Sequence, residues 1–272
     1  MRLISQNQTL FGLDNARSAG HARSRRDAGR SGAAEAPDGV GKFSGRTPWD
    51  VLSAWADSGV DHLLSVATAM TNSTKMLNAV VPLLAEIGFE KRAGSIFTLE
   101  LGHDTIGWLG LNQSVRYQSP GAVEINPVVG VRFQTVERMV AECRGERFHS
   151  YQPPTICTPI GYLLPDAKYK TWLFEPDQPV DAAQDMCATI KQYGIPFMRS
   201  VQSLEELCLK IDSRLGFLLE YRHPVALFLA GDIARATSTL ARSVADLGDR
   251  GDLAAIDFRR YAAKLAREFG AD

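Results

Sequence analysis

Glu100, His103 and Asp104 stand within five positions of one another, and Glu124 follows in the next apolar run. Carboxylate and imidazole are suitable ligands for a divalent cation and suitable donors and acceptors of protons, so these four define a metal-assisted hydrolase or nuclease reading. Against it, Gly102-His103-Asp104-Thr105 is also ordinary turn chemistry joining two strands. Other chemical patterns fail on their residues. Gly39-Val40-Gly41-Lys42-Phe43-Ser44-Gly45 has Ala36 where a phosphate loop needs its first glycine and Phe43 where it needs a hydroxyl. The five histidines form no pair at metal-ligand spacing, and Cys143, Cys157, Cys187 and Cys208 lie too far apart for a zinc knuckle or redox pair. No G-x-S-x-G elbow, H-E-x-x-H or dinucleotide fingerprint is present. The sequence therefore names no cofactor and no bound metal.

The elements that would position such residues follow from periodicity. Met76, Leu77, Val80, Val81, Leu84 and Ile87 recur at helical spacing up to Gly88, with Pro82 predicting a kink or early break. The period then changes to two. Phe97, Leu99 and Leu101 form one strand, Leu109, Leu111, Val115 and Tyr117 a second, and Val123, Ile125, Val129, Val131 and Phe133 a third. Short connections make these an antiparallel meander. A helix resumes at Val136, strands are expected at Ile160 to Leu164 and Thr171 to Phe174, and a helix runs from Val180 to Tyr193. Ser203 with Glu206 then forms an S-x-x-E box opening another.

The fold expectation is α+β: a three-stranded antiparallel meander with one or two further strands, packed with helices and ending in a helical hairpin. Three regions follow. Residues 1–69 form a Gly-, Ala- and Arg-rich leader expected to be largely disordered, with a pattern for short helices at 48–69; residues 70–220 form the α+β domain; residues 221–272 form the hairpin, resembling one tetratricopeptide unit. Met70 reads as an alternative start.

The outer parity of the sheet suggests binding. Trp108 shares it with Glu100, Asn112, Arg116, Glu124, Asn126 and Arg132, a polar face carrying one large aromatic. Trp and Arg are frequent interface anchors, so Trp108, Arg116 and Arg132 are the binding candidates. Thirty Lys and Arg against 31 Asp and Glu give a formal charge of −1, which indicates no nucleic-acid partner. No stretch approaches the roughly 20 apolar residues of a membrane span. Cysteine usage and the absence of a secretory leader place the chain in a reducing cytoplasm.

The run Gly88-Phe89-Glu90-Lys91-Arg92-Ala93-Gly94-Ser95-Ile96-Phe97, with Tyr193-Gly194-Ile195-Pro196-Phe197 and the Ser203-Leu204-Glu205-Glu206-Leu207 helix start, resembles an uncharacterised bacterial α+β domain family similar to small immunity-like proteins. The resemblance spans about residues 75–215. Its motifs carry over no catalytic residue, and it implies a compact cytoplasmic protein of unassigned activity that binds another protein.

Overall fold

The computed structural model describes residues 72–113, 122–212 and 218–270. The leader before residue 72 and Arg116 lie outside them. A first helix, α1, covers 72–86 and buries Met76, Val80 and Leu84. It passes through Pro82 without breaking, because Pro82 and Asn78 are both on the exposed side, where the missing N–H leaves a carbonyl that water can satisfy.

Strands β1 (Phe89–Lys91), β2 (Ile96–Glu100), β3 (Thr105–Gln113) and β4 (Val123–Phe133) form the antiparallel meander. The long β4 is flanked on its far edge by two short strands. Val128–Val131 pair with β5 (Ile156–Pro159), and Val123–Ile125 with β6 (Trp172–Phe174). The result is an α+β fold around an antiparallel sheet. Alternation along β2 to β4 sends Phe97, Leu99, Leu109, Leu111, Ile125, Val129, Val131 and Phe133 to one face, where they join the helices in a continuous core.

Helix α2 (Gln134–Arg144) leaves β4 directly and closes on Gly145, whose φ of 69° is the left-handed conformation glycine adopts freely. Its first turn has no cap from its own N-cap residue. Asp104 supplies one from the β2–β3 connection, its Oδ1 accepting from Thr135 N–H at 3.0 Å and Thr135 Oγ1 at 2.6 Å. Asp104→Ala should therefore cost about 1 kcal/mol in a thermal melt, the usual scale of a lost helix cap, with Asp104→Asn close to wild type.

Beyond β5 the expected strand at Ile160 to Leu164 is instead a 3₁₀ turn, Ile160–Leu163. The strand has ended one residue earlier, at Pro159. Helix α3 (Pro179–Thr189) continues through a π turn (Ile190–Gly194) into the short α4 (Ile195–Arg199). Helix α5 (Leu204–Asp212) opens on the S-x-x-E box: Glu206 N–H donates to Ser203 Oγ at 3.2 Å and Ser203 N–H to Glu206 Oε2 at 3.0 Å. The Gln202 and Ser203 N–H groups, both donating to Glu206 Oε2, hold its carboxyl below its ordinary pKa.

The C-terminal helical hairpin consists of α7 (Ile233–Ala245) and α8 (Leu253–Glu268), and a further helix, α6 (Leu219–Leu229), precedes it. Gly231, at φ 85°, breaks the apolar period that runs on from α6 into α7. Asp232 and Asp252 cap the last two, accepting from the N–H groups of Arg235 and Ala255. Tyr261 of α8 docks this layer, its hydroxyl donating to the Tyr221 carbonyl at 2.5 Å while Tyr221 packs edge-on against Phe258.

Where α5, α6 and α7 meet, His223 Nε2 lies 3.3 Å from Asp212 Oδ1, and Arg235 Nη2 reaches Asp212 Oδ2 at 3.1 Å. Burial lowers the His223 pKa, Asp212 raises it, and Arg235 and Arg242 lower it further, for a net decrease. His149 is lowered too, by burial and then Arg132 and Arg147. In both cases the unfolded chain takes up the proton first. The associated stability is present above the ordinary histidine pKa of about 6.5 and is lost as pH falls below it. The urea midpoint should fall between pH 7.5 and 5, and His223→Gln should flatten that fall.

Candidate protein-binding surface

The four acidic and histidine candidates do not converge. His103 and Glu100 are exposed near one end of β3, and Asp104 is committed to capping α2. Glu124 sits near the start of β4, nine residues before the Phe133 that pairs with Thr105, which places it roughly 30 Å away along the strand. There its Oε1 accepts from Thr171 Oγ1 at 2.7 Å. Among the described residues no three His, Cys, Asp or Glu side chains are grouped to hold a metal ion.

The cysteines are free, and all four thiols are pushed above their ordinary pKa, chiefly by burial: Cys157 and Cys208 to about 11 and Cys187 to about 12. They are protonated and poorly nucleophilic at neutral pH. Cys143 lines a groove of about 370 Å³ between α2 and α8 with Met139, Glu142, Lys264, Arg267 and Glu268. Its acidic neighbours Glu268 and Glu142 also raise the thiol's pKa, so the groove offers no activated sulfur.

Trp108 and Arg132 do share the outer parity, but neither is presented to solvent. Trp108 is 8% exposed and Arg132 1%. The indole lies over Gly110, where a Cβ would sit 2.9 Å from the ring's Cζ3. The Arg132 guanidinium is enclosed by the segment after α2. Its Nη1 donates to the Pro153 carbonyl at 2.5 Å, its Nη2 to the His149 carbonyl, and its Nε to Gln134 Oε1 at 3.2 Å, while the Phe148 ring packs against it. Glu137, buried on α2, completes the cluster. Arg222 of α6 grips it through Nε at 2.6 Å and Nη2 at 3.1 Å, and Arg132 Nη1 is 3.5 Å from its Oε2. Burial lowers the Arg132 pKa to about 10 despite Glu137, with Arg222 adding to the decrease. Arg132 remains charged at neutral pH, and the three side chains lock β4, α2 and α6 together.

Exposed apolar side chains lie elsewhere: Leu209, Ile233, Leu253 and Ile256 are dispersed over α5, α7 and α8, and others gather on the irregular stretch around β6. Tyr162 is 46% exposed, Tyr169 59% and Leu173 41%, with Val180 at the start of α3 beside them in sequence. This surface is built on fixed backbone. Gly161 is buried against the chain at 168–170, so close that a Cβ would meet the Lys168 carbonyl and stand 2.7 Å from Lys170 N. Only glycine fits there, and Tyr162 and Tyr169 consequently leave adjoining points of the chain. Between them Ala167 holds a left-handed φ of 47°, a conformation that costs a non-glycine residue free energy and recurs at functional positions.

From below, the Lys170 carbonyl accepts from Asn126 Nδ2 at 2.8 Å, and Trp172 is buried with its Nε1 donating to Asp185 Oδ2 at 2.6 Å. Lys170 Nζ lies 3.5 Å from the same oxygen and 4.4 Å from the Trp172 ring centre. Two tyrosines and a leucine thus stand on a braced platform. Periodicity did not single them out, because Tyr162 and Leu173 fall within two short expected strands and Tyr169 in the connection between them; tyrosines amid turn-forming residues were the available signal.

No family model, curated protein or solved structure matches the chain. Among the described residues no helix is long and apolar enough to cross a membrane.

Proposed function

We propose that this chain is a non-enzymatic protein-binding module acting in the cytoplasm, of immunity-like type, and that it engages its partner through Tyr162, Tyr169 and Leu173. The observation that carries the reading is the exposure of these three side chains on backbone that is already fixed. Rigid aromatic side chains give large contact area for little lost rotamer freedom, and a braced backbone reduces the ordering cost of association. Free cysteines fit a reducing compartment. Neutral overall charge favours a protein partner over a polyanion.

The test is capture from a lysate of the native host by the full chain beside a Tyr162→Ser/Tyr169→Ser/Leu173→Ser variant. Because the three side chains are exposed, the variant should melt within about 2 °C of wild type, as expected for surface changes within about 0.5 kcal/mol. A partner retained by wild type should be lost by the variant. Equal retention by both would refute this surface as the binding site.

A further inference from the structure

The exposed surface at Tyr162, Tyr169 and Leu173 is surrounded by charge of one sign. Residues 160–185 carry Asp166, Glu175, Asp177, Asp181 and Asp185 against Lys168 and Lys170, a formal −3 within a chain whose total is −1. Local turns and one ion pair set these carboxylates beside the patch. Ala167 N–H donates to the Leu164 carbonyl at 2.9 Å, closing the turn that holds Asp166 between the two tyrosines. Glu175 follows Leu173 at the same parity, and Gln178 N–H donates to the Glu175 carbonyl at 3.3 Å, so Asp177 lies in the tight turn between β6 and α3. Asp185 binds the Trp172 indole and Lys170, the chain neighbours of Leu173 and Tyr169, which brings α3 alongside. Asp181 stands one turn earlier on the same helix face. Among the described residues Lys170 with Asp185 is the only ion pair these seven charges make, and all five carboxylates are exposed. Their negative field is left largely uncompensated.

Resting on the reading of Tyr162, Tyr169 and Leu173 as the binding site, we propose that this surface receives a cationic protein segment in which Arg or Lys side chains flank apolar ones. An apolar centre ringed by polar groups is the usual anatomy of a protein interface, and complementary charge selects the partner and speeds its docking. Arginine suits this rim, since its planar guanidinium both stacks on a tyrosine ring and forks onto a carboxylate. A second copy of this chain would bring −3 against −3, which disfavours self-association through the patch. Nucleic acid and anionic lipid are repelled for the same reason.

The test selects a random peptide library displayed on phage against the full-length chain, against Tyr162→Ser/Tyr169→Ser/Leu173→Ser, and against Asp166→Asn/Glu175→Gln/Asp177→Asn/Asp181→Asn. Asp185 is left intact because it holds Trp172. Both variants should melt like wild type, since every changed side chain is exposed. Peptides selected by wild type should be enriched in Arg and Lys beside apolar residues and should fail to bind the triple-serine variant. As synthetic peptides they should bind the charge-neutralised chain about tenfold or more weakly, and added salt should weaken their binding to wild type. Binders lost by the triple-serine variant but lacking that enrichment, or held equally well by the neutralised chain, would overturn the cationic partner and leave the surface standing. Binders retained by the triple-serine variant would remove the surface and the proposal together, and a library that yields no binder would overturn the proposal as well.

Discussion

Glu137→Gln is expected to lower folding stability by about 3 kcal/mol or more, because it leaves two guanidinium groups in the interior without their shared carboxylate. Arg132 is 1% exposed and Arg222 3%, so water cannot replace what Glu137 provides. The surrounding carbonyls of Pro153 and His149 satisfy Arg132 hydrogens but do not neutralise its charge. Urea unfolding measures the loss. Removing the charge on the other partner as well, in Glu137→Leu/Arg222→Met, should recover part of it, since apolar replacements of a buried pair are often neutral or stabilising. A double variant as unstable as the sum of its singles would mean that the residues are not coupled.

Trp108→Ala is expected to cost roughly 3–5 kcal/mol through lost burial and a residual cavity. The outward parity of Trp108 is not outward exposure: the ring fills space above Gly110, which offers no side chain of its own. Thermal melting of the variant checks this. A near-native melt would return the indole to a solvated surface, contrary to its 8% exposure.

The change from helical to alternating period at Gly88, and back after Phe133, made the meander legible, because each buried face imposes its own repeat on the sequence. The S-x-x-E box was equally readable, since a cap depends on residues a turn apart. Long-range relations were not. Asp104 looked like a catalytic candidate because nothing local reveals that it caps a helix beginning thirty positions later. Arg132 looked like a surface anchor because its carbonyl partners and Glu137 are supplied by other elements. Similarly, Gly231 inside a continuing apolar pattern gave little warning of the break between α6 and α7, whose cause is its positive φ. Tyr162 and Tyr169 leave adjoining points of the chain only because Gly161 lets two segments touch, a contact that no periodicity encodes.

Hydrogen exchange on the captured complex tests the binding reading most directly, because it locates the partner without altering the chain. The account predicts slowed exchange across residues 160–174, centred on the stretch from Tyr162 to Leu173, with α7 and α8 unchanged. Protection confined to α7 and α8 or to the β1–β2 edge, with residues 160–174 exchanging as in the free protein, would contradict it.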